Sequence, residues 1–360
     1  MVKSPDYVDR IKPYVPGKPI EEVERELGVK NSIKLASNEN PLGSSPLALR
    51  RMRDHLENLH RYPDGGVFKL KEALSKKLGA APSEIIVGNG SNELLDIAAR
   101  TFLGLGDQAV MARPSFIVYN MAASSVGAVP VEIPLNDYRH DLPAMAAAIT
   151  PDTRMVFIAN PNNPTGTIVS TAEFDRFMAQ LPDGILVVVD EAYFEYVQDG
   201  GYADSMKHFR HGRDILILRT FSKIYGLAGL RIGYGIAPAP IISQMNKIRE
   251  PFNVNSMAQA AALGALADDA HVIKSAAVNA RSKEFLYGAL SALGVPYVPT
   301  EANFIYLHPI TDAPGVSNKL MKLGIIVRLM GSDALRVTIG LPHENVAFTT
   351  RLKEIIRQWT

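Results

Sequence analysis

Five short stretches of this chain are apolar on both faces, at 109–112, 155–159, 185–189, 215–218 and 232–236. A strand with one wet face alternates apolar and polar residues, whereas a strand apolar throughout has to be covered on both sides. The runs are β-branched, too short for helices and separated by longer amphipathic stretches. Together they predict an α/β fold, with a mostly parallel sheet held between helices. Two of the helices carry their own punctuation. Leu70, Leu74 and Leu78 recur at i, i+4 and i+8 over 67–78, with Gly79 as the stop, and a second helix is expected over 91–103 before Gly104.

The texture changes beyond about residue 245. Helical stretches at 256–267 and 271–293 are followed by short strands at 303–307 and 335–339 and by a last helix at 343–358. This predicts a large domain over 46–245 and a smaller α+β domain over 246–360. The polar, proline-broken segment 1–45 is expected to form an arm and part of the small domain. With 360 residues, 47% of them hydrophobic, the chain can bury two cores.

Lys and Arg number 38 against 37 Asp and Glu, so no overall field draws the chain to nucleic acid or anionic membranes, and anions must be bound locally. There is no cysteine, which excludes disulfides, thiolate metal sites and a cysteine nucleophile. The N-terminus lacks the apolar core of a signal peptide, and no apolar run approaches the roughly 20 residues that span a bilayer. A soluble, cytoplasmic protein is expected.

Four segments carry candidate chemistry. Gly88-Asn89-Gly90-Ser91-Asn92-Glu93 follows an apolar run and opens the helix at 91. It reads either as a tight turn capped by Ser91 or Asn92, or as a phosphate cradle of free backbone N–H groups. Asn160-Pro161-Asn162-Asn163-Pro164-Thr165-Gly166 forms a long rigid polar loop after a strand, where ligands sit in open α/β sheets. Asp190 ends the run at 185–189. It is either a helix cap or a carboxylate paired to a cation in a cleft. In Arg219-Thr220-Phe221-Ser222-Lys223, the lysine is followed by a stretch without charge over 224–230 and then by Arg231. Such surroundings are wrong for a solvated lysine and suit an amine of lowered pKa that attacks carbonyls.

Phosphate cradle, strand-end carboxylate and secluded lysine together are the parts of a pyridoxal-phosphate site. The chain resembles the fold-type I pyridoxal-phosphate aminotransferases of class I and II over nearly its whole length, from LASNENPLG (35–43) through NPNNPTG, VVVDEAYFEY and RTFSKIYGLAGLRIGY to ALRVTIG (334–340). Within that family it is most similar to the branch acting on histidinol phosphate, through Lys12-Pro13-Tyr14, Arg61-Tyr62-Pro63-Asp64 and Gly324-Ile325-Ile326-Val327-Arg328.

The resemblance implies a seven-stranded, mostly parallel sheet in the large domain, and pyridoxal 5′-phosphate held by Lys223 as a Schiff base. By the same resemblance Asp190 pairs with the ring nitrogen, Asn163 and Tyr193 bond the ring's 3′-oxygen, and Phe116 stacks on the ring. Gly90, Ser91, Asn92, Thr220, Ser222 and Arg231 take the phosphate. Tyr62 reaches the cofactor of the neighbouring subunit in a homodimer. Tyr14, Asn38, Arg328 and Arg336 surround the substrate's anion. The implied reaction is transamination between histidinol phosphate and 2-oxoglutarate in histidine biosynthesis. Transamination of aromatic amino acids and a threonine-phosphate decarboxylase-like lyase share the cofactor residues.

Overall fold

The computed structural model describes residues 2–356 apart from 10 and 15. Its strands are β1 (Ile33–Leu35), β2 (Ile85–Gly88), β3 (Gln108–Arg113), β4 (Val129–Pro134), β5 (Thr153–Ala159), β6 (Leu186–Asp190), β7 (Ile215–Thr220), β8 (Gly233–Ile236), β9 (Phe304–Leu307), β10 (Ile325–Leu329) and β11 (Leu335–Thr338). Seven of them form one sheet in the order β2-β8-β7-β6-β5-β3-β4, and four form a second in the order β1-β10-β11-β9.

The apolar runs are the centre of the large sheet. Ile215 and Ile217 point into the core on one face, with Val156, Ile158, Val187 and Val189. Leu216 and Leu218 point into the core on the other, with Met155, Phe157, Leu186 and Val188. Each such side chain, fully buried, contributes about 1.5–3 kcal/mol, so a polar residue anywhere in these runs would be selected against by packing alone. The helices Phe68–Leu78 and Ser91–Phe102 form as expected and cover the sheet.

Two strands depart from the simple pattern. β8 was expected among the parallel runs but is antiparallel to both β7 and β2. The chain between β7 and β8 holds only the short 3-10 turn Ala228–Leu230, and without a crossover helix the strand can only return antiparallel. β4 carries no continuous apolar run. It is the sheet edge, half-exposed, with Pro130 and Pro134 in it, as an edge strand tolerates.

The small sheet draws its strands from both ends of the chain. β1 pairs in parallel with β10, while β10, β11 and β9 pair antiparallel. The long helix Asp269–Ala292 and the helices Ala313–Lys322 and Pro342–Ile356 cover it; the last was expected to reach 358, and 357 and 358 lie outside the described residues. Ser256–Leu266 instead buries Ala258, Ala261, Ala262 and Ala265 in the core of the large sheet. At the N-terminus, the turn Asp6–Asp9 packs against Val118–Ser125 of its own chain.

The loop that follows β7 is clasped by the segment after β1. Tyr225 O accepts from Ser45 N at 3.5 Å, and Gly226 O accepts from Ser44 Oγ at 2.7 Å. Gly226 has φ 69°, and a Cβ there would stand 2.1 Å from Gly43 O. Gly226→Ala is expected to lower stability by about 2–4 kcal/mol in urea denaturation, from left-handed strain and a backbone clash together. Gly200→Ala, with open space around it, should stay within about 0.5 kcal/mol.

Candidate active site

The register of the large sheet brings the four segments to one edge. Ala159 lies opposite Asp190, and Asp190 opposite Leu218, so β5, β6 and β7 end together. Gly233, at the start of β8, pairs with both Thr220 of β7 and Gly88 of β2. The turn after β2 therefore arrives where the loops after β5, β6 and β7 leave. A cleft of about 270 Å³ opens at this edge, closed on its far side by the β1–β10–β11 region.

Asp190 and Lys223 both line the cleft. Lys223 Nζ donates to Ser37 O at 3.0 Å and stands 5.6 Å from the centre of the Tyr193 ring. Loss of water, helped by the Arg336 charge, lowers its pKa to about 7. Asp190 accepts from Tyr119 Oη at 2.8 Å and from Ala192 N at 3.1 Å. Burial pushes its carboxyl above the usual range, while these two donors pull against that shift. A cation brought beside Asp190 would stabilise its charged form.

Unpaired backbone donors and an arginine gather beside this pair. The helix Ser91–Phe102 begins at Gly90 with no side-chain cap, leaving the first-turn N–H groups of Ser91 and Asn92 at the cleft. Arg231 lines the same part. Its Nη1 donates to Ala228 O at 3.1 Å and to Ser222 Oγ at 3.4 Å. Thr220 Oγ1 accepts from Ser222 N at 3.1 Å and fixes that turn. Gly90 stands just outside the lining, and its role is room: a Cβ there would lie 2.4 Å from Arg231 Nη2.

Across the cleft, Arg336 of β11 is buried. It donates from Nη1 to Asn163 Oδ1 at 2.6 Å and from Nη2 to Ala36 O at 2.9 Å, and its Nε has no partner. A buried guanidinium whose hydrogen bonds go to neutral oxygens keeps its positive charge uncompensated beside the cleft. Arg328 sits beside it in the lining, with its guanidinium 5.5 Å from the Tyr14 ring centre. Asn38, with φ 55°, is the joint of this wall. Its Nδ2 donates to Tyr193 Oη at 3.0 Å, its N to Thr338 Oγ1 at 2.9 Å, and its O accepts from Asn303 Nδ2 at 3.0 Å. Phe116 also lines the cleft.

Of the expected residues, Tyr62 alone lies away from the cleft. It is 83% exposed and stacks on Phe252 with ring centres 4.9 Å apart. Sequence reasoning missed Tyr119, Ser37 and Glu39, all of which line the cleft. Tyr119 comes three residues after Phe116, and that closeness in sequence is its one signal. Glu39 pairs with Lys34 at 2.9 Å. Among the described residues no group of three or more His, Cys, Asp or Glu could hold a metal ion, and no helix is long and apolar enough to cross a membrane.

The sequence model for aminotransferase class I and II matches residues 30–348. The chain is 53% identical over 351 residues to histidinol-phosphate aminotransferase of Moorella thermoacetica, covering 96% of this chain and 91% of that protein. It is 45% identical over 355 residues to the histidinol-phosphate aminotransferase of Caldicellulosiruptor saccharolyticus, covering 98% and 99%. Among solved structures it is similar to histidinol-phosphate aminotransferase from Sinorhizobium meliloti in complex with pyridoxal-5′-phosphate, with a TM-score of 0.92, 27% identity and coverage of 100% and 99%.

An amine of pKa about 7 becomes a nucleophile three pH units earlier than an ordinary lysine near 10.4. In the cofactor-free protein, acetylation of Lys223 by acetic anhydride, read by peptide mass spectrometry, should rise with a midpoint near pH 7 and level off above it. Surface lysines should still be gaining reactivity at pH 9. A Lys223 midpoint near theirs would contradict the assigned environment.

Proposed function

Because the chain belongs to the aminotransferase class I and II family, we propose that it is a pyridoxal-phosphate-dependent transaminase of histidine biosynthesis, moving the amino group of L-histidinol phosphate to 2-oxoglutarate to give imidazole acetol phosphate and L-glutamate. The observation that carries this reading is the pairing, in one cleft, of an amine lowered to about pKa 7, Lys223, with a buried carboxylate, Asp190.

The donor set fits pyridoxal phosphate. Asp190 has hydrogen bonds but no cationic partner within salt-bridge distance among the described residues, and a protonated ring nitrogen is such a partner. The uncapped helix start at Ser91 and Asn92, with Arg231, Ser222 and Thr220, suits a phosphate group. Gly90 leaves the space in which Arg231 reaches it. Phe116 supplies an aromatic face, Asn163 and Tyr193 supply polar groups for the ring's oxygen, and Lys223 supplies the amine that holds the aldehyde carbon.

When bound, the cofactor supplies an electron-withdrawing ring that accepts the electron pair left as the substrate's α-proton departs. The chain does the rest. Lys223 would hold the cofactor, and with its pKa lowered to about 7 it could take up and give back the substrate's α-proton near neutral pH. Asp190 would accept from a protonated ring nitrogen and favour its charged form. Arg336, with Arg328, Tyr14 and Asn38 around it, binds the anion of either substrate: the phosphate ester of one, a carboxylate of the other. Both half-reactions then use one site.

The assignment extends to the whole molecule. Residues 46–245 are assigned to the cofactor-holding domain, those from 246 on to the small domain, and 1–45 to an arm and part of the small domain, with β1 pairing to β10 and Ser256–Leu266 returning to pack on the large core. The enzyme works as a cytoplasmic homodimer in which Tyr62 of each subunit reaches the cofactor phosphate of the other. The exposed apolar group of Leu56, Leu59, Tyr62, Phe68 and Phe252 supports this pairing.

Mixing the loaded enzyme with L-histidinol phosphate should bleach the cofactor's bound-aldehyde absorbance and yield the pyridoxamine form, and 2-oxoglutarate should restore it. kcat/KM should favour histidinol phosphate over phenylalanine, and no CO₂ should be released. Lys223→Ala should abolish turnover; near-normal turnover in that variant ends the proposal. Arg336→Lys should cost about 10–100-fold in kcat/KM with both substrates, since a forked, charge-assisted contact is lost.

A further inference from the structure

We propose that Tyr119 is a positioning residue that acts through Asp190, holding its carboxylate charged and aimed so that the proton shared with the cofactor's ring nitrogen stays on the nitrogen. The inference rests on the functional reading above and adds a residue to it.

Asp190 has two oxygens and little else to keep it ionised. It ends a fully apolar strand, and its Oδ1 takes one backbone N–H, from Ala192 at 3.1 Å. Its Oδ2 takes one side-chain donor, Tyr119 Oη at 2.8 Å. Burying a carboxylate favours its neutral form, and only donors or a cation oppose that. With the cofactor in place, Asp190 and the ring nitrogen share one proton. A neutral carboxylic acid beside a neutral ring would leave the ring a poor electron acceptor. A donor to Oδ2 stabilises the charged carboxylate and not the acid, so it biases the shared proton towards nitrogen.

The donor's direction is set by packing. The Tyr119 ring stacks on Phe157 with centres 5.0 Å apart and planes 8° from parallel, and meets Phe116 edge-on at 5.6 Å and 84°. Tyr119 is 1% exposed, so its hydroxyl has no water to turn to. Burial and the neighbouring Asp190 charge raise its own pKa well above 10, so it remains a donor at every pH at which the enzyme works. Phe116 and Tyr119 also lie only three residues apart, on either side of the start of the helix Val118–Ser125. One short segment thereby supplies both a ring for the cofactor's face and the partner of the carboxylate at its nitrogen.

The test uses the holoenzyme loaded with pyridoxal phosphate carrying ¹⁵N in its ring, in wild type, Tyr119→Phe, Asp190→Asn and the double variant. Phenylalanine keeps both ring contacts and removes only the hydroxyl. At pH 7.5 the ¹⁵N resonance of the wild type should lie at the protonated position, and that of Y119F should move part of the way towards the unprotonated one. Cofactor affinity should fall by about tenfold, as for loss of one charge-assisted hydrogen bond. In the D190N background the same change should move neither reading further. An unchanged resonance in Y119F overturns the inference, as does an equal effect with and without the Asp190 carboxylate. If the wild type takes up no pyridoxal phosphate, the functional reading falls, and this inference with it. Normal loading of the wild type with no response to Y119F removes this inference alone.

Discussion

The site depends on one cost: a charged group loses several kcal/mol when water is taken from it without replacement. Strands β5, β6 and β7 run through apolar stretches, and β6 and β7 then place polar groups at the sheet edge. On this account a lysine there holds its proton less tightly, and a carboxylate there requires donors. The same cost explains the arginine opposite. Arg336 is buried with neutral oxygens as its partners, so much of what an anion brings to it is relief of a desolvated charge. Arg219 and Glu191 pair at 2.8 Å beside this edge, whereas Lys223, Asp190 and Arg336 have no ion-pair partner among the described residues.

The large sheet was legible in the sequence because its information is local. A strand buried on both faces has to be apolar at consecutive positions, and five runs satisfied that. β4 was illegible for the opposite reason: an edge strand half in water, with prolines, has no distinctive pattern. The direction of β8 turned on what lies between it and β7, a tight uncharged loop in place of a helix. The small sheet was harder still. β1 is three residues long and takes its meaning from β10, far along the chain.

The site divides in the same way. Lys223, Asp190, Asn163 and the Gly88–Asn92 turn were readable because each follows a strand end, where α/β sheets place their ligands. Arg336 and Arg328 were readable only through family resemblance, since an arginine on a short strand looks like any edge charge. The buried, bare Nε of Arg336 is a fact of packing. Tyr119 lies in the helix Val118–Ser125, which buries Ala122 and Ala123 beside it, and there a tyrosine reads as core filling. Its hydroxyl acquires a purpose only when the sheet brings Asp190, 71 residues later, to within 2.8 Å.

The wall of the cleft that receives Lys223 is assembled from the two ends of the chain. Ser37 and Asn38 follow β1, yet β1 is held by β10, and Asn38 is tied to Thr338, 300 residues on. During synthesis at roughly 5–20 residues per second, the first partner waits about 15–60 s for the second. The large sheet can close in that interval, since its strands all lie between residues 85 and 236. A nascent chain thus completes the edge that carries Lys223 and Asp190 well before the wall that faces them, which waits for residue 338 to be made.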